Sequence, residues 1–561
     1  MSDGTERLGG LRWRLRATRA LWRRGANAEA VAGAVPTAPT RSEPVGQLDE
    51  PEAGDWAEGG AISIRGWLFF PEAATARLEV FLGGRSLGLA RIGAPRLDVA
   101  EVWEGSRAAA GFELDADLGD WDGGEGEHEL TVVATSVTGE RHEMEPVRVK
   151  VGSRPEKPGK LPPPAARTKS PASEQRPHVL VVTHQLTLGG AQLYLMDLLR
   201  ELVRTEAASF TMVSSIDGPL RPDVEALGIP VHISSLAPFD DISSYIGRIE
   251  ELATWGESRS VDVALLNTAT AWTIPGAEAA AEAGVPVVWA IHESFPLSVL
   301  LGDFSPRIRA RAEGALARAS TLVFEAEATK RLYEPVAGAE RCTMLPYGLD
   351  LAPIDAHRAE FDSEVARRKA GIPLDAELVA CVGTVEPRKA QVMLAQAFDL
   401  IAAGHPRAWV AFVGGRDDDN TEALNRYIEA SPYGERMRVI PVTPDVESWY
   451  GMADLLVCAS DIESLPRTVL EAMAWETPVL GTRVFGLPEL ITDGETGWLC
   501  EPRDLPALAD ALDRVLSLPK AERKRVGAAG RPLVEERHSL ERYGQEIAAL
   551  LEKAVAEGTP R

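Results

Sequence analysis

Two hydrophobic rhythms divide the chain. Residues 61–68, 77–82, 111–114, 128–134 and 146–151 alternate apolar and polar side chains, the period-two pattern of half-buried strands. Gly83-Gly84 and Thr138-Gly139 stand between or beside such runs as hairpin turns. From His178 onward the short apolar runs are continuous: 178–183, 210–214, 263–266, 287–291 and 321–324, then 378–383, 409–413, 439–443, 455–459 and 478–480. Amphipathic stretches separate them. Strands without a polar face, alternating with helices, belong in parallel sheets covered on both sides. The pattern therefore predicts two doubly wound, Rossmann-like α/β domains preceded by an all-β sandwich.

Boundaries follow from the breaks in these rhythms. Residues 1–51 read as a tail, 52–152 as the sandwich, 178–345 and 346–530 as the two α/β domains, and 531–561 as a terminal helical segment. Between sandwich and α/β pair, residues 153–177 hold seven prolines. Such a segment is a semi-rigid spacer, expected to let the sandwich move relative to the rest.

A chain of 561 residues exceeds one hydrophobic core, so several domains are expected. The net charge of −25 argues against a nucleic-acid binder. Cys342, Cys381, Cys458 and Cys500 are far apart and form no C-x-x-C pair, which indicates neither a disulfide framework nor a zinc site. No apolar run is long enough to span a bilayer and no signal peptide is evident, so the reading is cytoplasmic. From Arg7 to Arg24 there are seven arginines and no acidic residue. They flank a leucine and tryptophan face, as in a helix lying on the inner face of an anionic membrane; the other reading is a solvated tail.

Candidate chemistry concentrates in residues 454–502. An apolar strand, Leu455 to Ala459, leads through Ser460-Asp461-Ile462-Glu463-Ser464 into a helical run. Ser464 is placed to cap that helix and Pro466 to occupy its first position. Unsatisfied amides at such a strand–helix junction, near Leu465, favour a diphosphate. Glu463 and Glu471 flank the point; carboxylates repel phosphate but accept vicinal hydroxyls. Together they describe a nucleotide sugar. Upstream, Arg388 and Lys389 follow the strand 378–383, where they would neutralise a diphosphate leaving group as its charge grows; an isolated Arg-Lys pair is as often simply exposed.

The E-x7-E pair of Glu463 and Glu471, within ESLPRTVLEAMAWETPVLGTRVFGLPELITDGETGWLCEP, resembles the signature of retaining family 4 glycosyltransferases, whose fold is GT-B. The resemblance extends over about residues 178–550. It implies transfer of a sugar from a nucleotide-diphosphate sugar to a glycan or lipid-linked acceptor hydroxyl, with retention, in cell-surface glycan or glycolipid synthesis. It implies that the nucleotide sugar is a substrate and that no metal or cofactor is needed. It matches Lys389 to the family lysine, places Thr384 where an arginine is frequent, and Ala390 where glycine is usual. It implies that Gly189 and Gly190, after the strand 178–183, lie against the diphosphate and acceptor, and that the last helix crosses back onto the first α/β domain. The sandwich resembles the Ig-like accessory modules found beside some bacterial glycosyltransferases.

The expected assignments are these. Arg388, Lys389 and the amides near Leu465 hold the diphosphate, with Ser464, Leu465 and Pro466 lining the donor site. Glu463 accepts hydroxyls of the donor sugar and Glu471 those of the ribose. Thr443 ends the strand that meets the base. His292, at the carboxyl end of the strand 287–291, contacts the sugar or acceptor, and Asn267 and Thr268 line the acceptor side. Asp417, Asp418 and Asp419 suggest a metal motif but read as a solvated loop. Trp67, Trp103 and Trp121 are either a sugar-stacking platform or packing residues. Two other functions fit the same residues: a nucleotide-sugar 2-epimerase on this fold, and a non-catalytic glycan-binding scaffold.

Overall fold

The computed structural model describes residues 44–57, 60–102, 108–152, 176–234, 242–257, 260–302 and 304–558. The arginine-rich stretch 7–24, Trp103 and nearly all of the proline-rich segment lie outside these residues.

Among the described residues, ten strands form two facing sheets. β1 (Val45–Glu50), β3 (Ala61–Phe69), β6 (Arg91–Ala94) and β7 (Gly111–Asp117) make one, in the order β1-β3-β7-β6. β2 (Trp56–Ala57), β4 (Thr75–Leu82), β5 (Arg85–Leu89), β8 (Gly126–Ser136), β9 (Arg141–Glu143) and β10 (Val147–Val151) make the other, in the order β2-β10-β8-β4-β5 with β9 on β8. Ile64 and Phe112 from the first sheet meet Leu78, Val80, Val132 and Val149 from the second in one buried core. The alternating pattern thus does what it predicts. The sandwich starts earlier than expected, because β1 pairs antiparallel with β3 from Val45 opposite Phe69. Only Val45 and Leu48 mark β1 as apolar; its backbone pairing, not its composition, makes it a strand. Trp67 is buried and stacks near Phe69, while Trp121 sits at the rim against His128 with its indole N–H on the Gly124 carbonyl at 3.1 Å. Trp67 is therefore packing, not part of a platform.

The first α/β sheet holds β11 (His178–Gln185), β12 (Ser209–Ile216), β13 (Val231–Ile233), β14 (Val263–Asn267), β15 (Val287–Ile291), β16 (Thr321–Phe324) and β17 (Cys342–Met344). All pair in parallel, in the order β13-β12-β11-β14-β15-β16-β17. The second holds β18 (Glu377–Val382), β19 (Ala408–Gly415), β20 (Met437–Pro441), β21 (Leu455–Cys458), β22 (Val479–Thr482) and β23 (Trp498–Cys500), parallel in the order β20-β19-β18-β21-β22-β23. In each sheet the order reverses beside the first strand, at β11/β14 and at β18/β21. Ligands of open α/β sheets bind outside the carboxyl ends at such switch points. The loops after β18 and β21 are those carrying Arg388, Lys389 and Glu463. The four cysteines are buried and free.

The terminal helix Leu540–Glu557 packs on the helix Gly190–Arg204 and on β14 and β15 of the first domain. The crossing falls later than residue 531: the helix Lys520–Arg537 runs through that point and stays on the second domain against the helix Arg467–Ala474. The chain returns at His538, whose Nδ1 bonds the Tyr347 carbonyl at 3.0 Å, beside a bridge between Leu349 and Ser539.

The sandwich is seated on both α/β domains rather than hanging from its spacer. β6 lies over the Pro387–Lys389 turn and the helix Gln391–Ile401. It comes so close that a Cβ on Gly93 would stand 3.1 Å from Val392. Arg503 donates to the Leu89 carbonyl at 2.7 Å, and Ser298 of the first α/β domain donates to Asp117 at 2.8 Å. Ala108 and Ala109 join the core of the second α/β domain. The spacer's composition says nothing about these side-chain contacts, which is why mobility was the natural expectation.

Candidate active site

β18 is followed by Gly383, at φ +145°, under a close approach from Gly414: a Cβ on Gly414 would stand 2.4 Å from the Gly383 carbonyl oxygen. The chain then makes one 3-10 turn, Pro387–Lys389, and enters the helix Gln391–Ile401 through Ala390. Ala390 is left-handed, at φ 54° and ψ 33°. That conformation costs a non-glycine residue about 1–2 kcal/mol, which explains why glycine is usual at this place. The turn throws Arg388 and Lys389 toward the end of β21.

There Lys389 Nζ bonds Glu463 Oε1. Arg388 stands 3.8 Å from the same oxygen and also pairs with Glu386 at 2.6 Å. Ser460 Oγ donates to Glu463 Oε1 at 2.8 Å. Burial alone would push the Glu463 carboxyl up; Lys389 and Arg388 outweigh it and hold the group below the ordinary carboxylate range. Behind it, Gly486 presses on the loop, where a Cβ would fall 1.9 Å from the Ser464 carbonyl oxygen.

Ser464 does not cap the following helix. Its hydroxyl donates to Glu325 of the first domain and lies 3.0 Å from Thr329 Oγ1. Engaged as a donor to this buried carboxylate, the hydroxyl accepts from none of the helix amides, and the helix has no side-chain cap. The helix begins at Arg467, with Pro466 as its extended N-cap residue, one position later than expected. The Leu465 carbonyl accepts from the Tyr347 hydroxyl. Glu471 accepts from Tyr450 at 2.6 Å and from Arg467 at 2.7 Å. Arg467 continues across the domain boundary to Asp197 at 2.6 Å, with its guanidinium over the Tyr194 ring.

His292 stands just beyond β15 with its side chain 11% exposed. Its Nδ1 meets Glu325 and its Nε2 lies 2.8 Å from Asn267 Oδ1. Burial lowers the imidazole's affinity for a proton, but Glu325 reverses this and raises it above the ordinary value. Both partners offer oxygens, so the imidazolium donates to both. Glu325 joins His292 to Ser464, and through them the two domains.

Residues 188–353 match the family described as Glycosyltransferase Family 4, and residues 362–532 the family described as Glycosyl transferases group 1. The chain carries the two domains of a GT-B glycosyltransferase. The D-inositol 3-phosphate glycosyltransferase of Frankia alni is 29% identical over 377 residues, covering 61% of this transferase and 90% of that protein. The protein of the same name from Thermobifida fusca is 28% identical over 370 residues, covering 61% and 83%. Anabaena HepE, solved in complex with UDP and glucose, shares the fold with TM-score 0.56 at 20% identity, over 67% of this chain and 99% of that one. Sucrose-phosphate synthase from Thermosynechococcus elongatus does so with TM-score 0.57 at 20% identity, over 68% and 100%.

The transferase gathers Arg388, Lys389 and Glu463 into direct contact and links Ser464 and His292 through Glu325. Leu465, Pro466 and Glu471 follow on the same loop and helix. Gly189 and Gly190 open the helix Gly190–Arg204. A Cβ on Gly189 would fall 2.5 Å from Gln192 Oε1, whereas Gly190 has open space. Their loop touches the second domain where Arg416 donates to the Leu188 carbonyl at 3.2 Å. Thr443 stands apart: it follows β20 in a turn, its Oγ1 accepting from the Asp445 amide at 3.1 Å, and no hydrogen bond among the described residues joins it to Glu463. Asp418 caps the helix Asp419–Ala430 by accepting from the Thr421 amide, an ordinary structural role for the acidic triplet.

Sequence reasoning missed Glu325, Asp197, Arg467 and Glu489. Glu489 accepts the Glu327 and Ala328 amides across the domain boundary, each at 3.0 Å, and so caps a helix of the other domain. Glu325 had a signal, a charged residue directly after the buried run 321–324 at a sheet's carboxyl edge. It missed Arg91 as well, which reaches this loop from the sandwich. A cavity of about 120 Å³ lies beside the cluster where all three domains meet, with Arg91, Phe295, Asp461, Ile462, Phe485 and Arg503 in its wall.

Proposed function

We propose that this glycosyltransferase moves a sugar from a nucleotide-diphosphate sugar to a hydroxyl of a glycan or lipid-linked acceptor, with retention of configuration. The convergence of Lys389 and Arg388 on Glu463 carries the reading. A diphosphate entering beside this turn takes Lys389 and Arg388 as partners and releases Glu463 to accept donor-sugar hydroxyls. The amides near Leu465 add donors to the diphosphate, and Glu471, oriented by Tyr450 and Arg467, accepts the ribose hydroxyls. As the bond from the anomeric carbon to the diphosphate oxygen breaks, the two cations stabilise the growing charge. The acceptor oxygen then bonds the anomeric carbon on the face the diphosphate leaves, and the departing phosphate takes the acceptor proton.

His292 serves this site from behind: with both ring nitrogens engaged, it holds Glu325 and Asn267 in place, and reaches a ligand only by giving up Asn267. The setting we propose is cell-surface glycan or glycolipid synthesis in the cytoplasm, at the inner membrane face. No helix among the described residues is long and apolar enough to cross a membrane. The family matches and the UDP complex of HepE support a nucleotide-sugar donor; the relatives' name makes a polyol phosphate a rational first acceptor to try.

The test is a panel of UDP-, GDP- and ADP-sugars with and without acceptors, including inositol phosphates and glycolipid analogues, on wild type and Lys389→Ala. Acceptor-dependent product, its anomeric configuration read by NMR, with turnover reduced at least a hundredfold in the variant, is the expected result. Unchanged turnover in Lys389→Ala removes the diphosphate assignment, and an inverted product removes retention.

A further inference from the structure

The sandwich contributes one side chain to the loop that carries Glu463. Arg91, on β6, donates through Nε to Asp461 Oδ2 at 2.7 Å, and its other end holds Glu113 on β7. Arg503 donates to the same Oδ2 at 3.0 Å. Asp461 is almost wholly buried, its side chain 2% exposed, and its Oδ1 has no partner among the described residues. The buried charge thus rests on two guanidinium groups at one oxygen. Arg503 adopts a left-handed backbone, φ 59°, where it also bonds the Leu89 carbonyl. Strain of that kind persists only where surrounding contacts enforce it.

Asp461 is tied to the proposed donor site on its other side. Its backbone N–H donates to the Arg388 carbonyl at 2.9 Å. Its neighbour Ser460 holds Glu463. β6 itself packs on the turn carrying Arg388 and Lys389. Losing Arg91 would leave a buried carboxylate half compensated, and the least costly relief is for the loop to turn Asp461 toward water. That movement breaks the link to Arg388 and shifts Glu463.

We propose that the β-sandwich is a working part of the donor site, with Arg91 as a positioning residue that sets Arg388 and Glu463 through Asp461. The proposal rests on the reading that Arg388 and Glu463 hold a nucleotide-diphosphate sugar, and adds to it a role for the accessory module.

The experiment is calorimetric titration of the full-length chain with UDP and GDP, and with uridine and guanosine as controls. The proteins are wild type, Arg91→Ala, Asp461→Asn and Arg77→Ala. Arg77 makes a looser contact from the sandwich to Asp504, at 4.0 Å, and has no ion pair to Asp461 among the described residues. Arg91→Ala and Asp461→Asn are expected to weaken the preferred diphosphate at least roughly tenfold, about 1.4 kcal/mol, with the nucleoside unaffected and Arg77→Ala like wild type. Thermal unfolding confirms that each variant is folded, and Asp461→Asn, nearly isosteric, serves if Arg91→Ala is not. A cycle with Arg388→Ala separates positioning from general loosening: the two losses overlap if Arg91 acts through Arg388. Unchanged diphosphate affinity in both variants, an equal loss in Arg77→Ala, or fully additive losses in the cycle overturns the proposal. Failure of wild type to bind either diphosphate overturns the donor-site reading and this proposal with it.

Discussion

Arg467 reaches Asp197 across the domain boundary at 2.6 Å while its Nε holds Glu471 at 2.7 Å. One guanidinium therefore joins the relative placement of the α/β domains to the carboxylate assigned to the ribose. Its side chain is 16% exposed, and its removal leaves Asp197 with Arg200 and Glu471 with Tyr450 as their remaining hydrogen-bond partners among the described residues. Arg467→Ala is expected to lose about 3 kcal/mol of stability and to weaken nucleotide binding. Arg467→Lys keeps the charge but not the two-armed geometry. It should recover part of the stability and little of the affinity, measured by denaturant unfolding and calorimetry.

Glu489 provides a second clasp. In Glu489→Ala the Glu327 and Ala328 amides lose their acceptor at a helix N-terminus, at a cost of about 1–3 kcal/mol. Glu489→Gln retains an acceptor oxygen and should cost less. Hydrogen exchange at those two amides is the direct measurement; unchanged protection in Glu489→Ala would remove the clasp.

Acid should weaken the fold through two histidines. Burial, with the His292 charge as a lesser cause, lowers His184 to about 4. Burial likewise lowers His538 to about 4, against the bond to the Tyr347 carbonyl. An unfolded chain takes up these protons near pH ~6.5. Their contribution is thus complete above that pH and is lost as pH falls toward 4. His292, raised, acts in the opposite sense: its contribution is present below about pH 6.5 and is lost as pH rises through its folded value. Melting temperature measured from pH 4 to 8 should fall on the acid side, and His538→Asn, which can still donate to Tyr347, should flatten that limb.

The left-handed Ala390 makes a prediction about its turn. Ala390→Gly relieves backbone strain and loses one buried methyl, so stability should stay within about 1 kcal/mol of wild type. Ala390→Val places a β-branched side chain in a region it rarely adopts and should cost more than about 2 kcal/mol. A chemical-unfolding series decides; a neutral valine variant would mean the turn does not hold its left-handed shape.

The architecture was legible because it is written in local periodicity. Continuous apolar runs such as 287–291 and 455–459, short and bounded by turn residues, read as strands covered on both sides, and alternation in 77–82 reads as a half-buried strand. The central cluster was legible too, because Arg388, Lys389 and Glu463 each follow a strand at a sheet's carboxyl edge. Partners chosen by tertiary packing were not. Nothing near Ser464 in the sequence announces Glu325, so its hydroxyl looked like a cap. Nothing in β6 announces that Arg91 will find Asp461, and a proline-rich spacer hides a seated module. β1 escaped because pairing with β3, rather than its own composition, makes it a strand.

The polypeptide passes between the two α/β halves twice, at Tyr347 and at His538, and these passages touch through the His538 bond to the Tyr347 carbonyl. Two passages of covalent chain laid side by side make a doubled joint, and Tyr347 ties that joint to the loop after β21 through its hydroxyl on the Leu465 carbonyl. Its ring also lies against Tyr194, over which Arg467 sits. A disturbance at the joint is therefore felt next door, in the loop that carries Glu463, rather than at a distance.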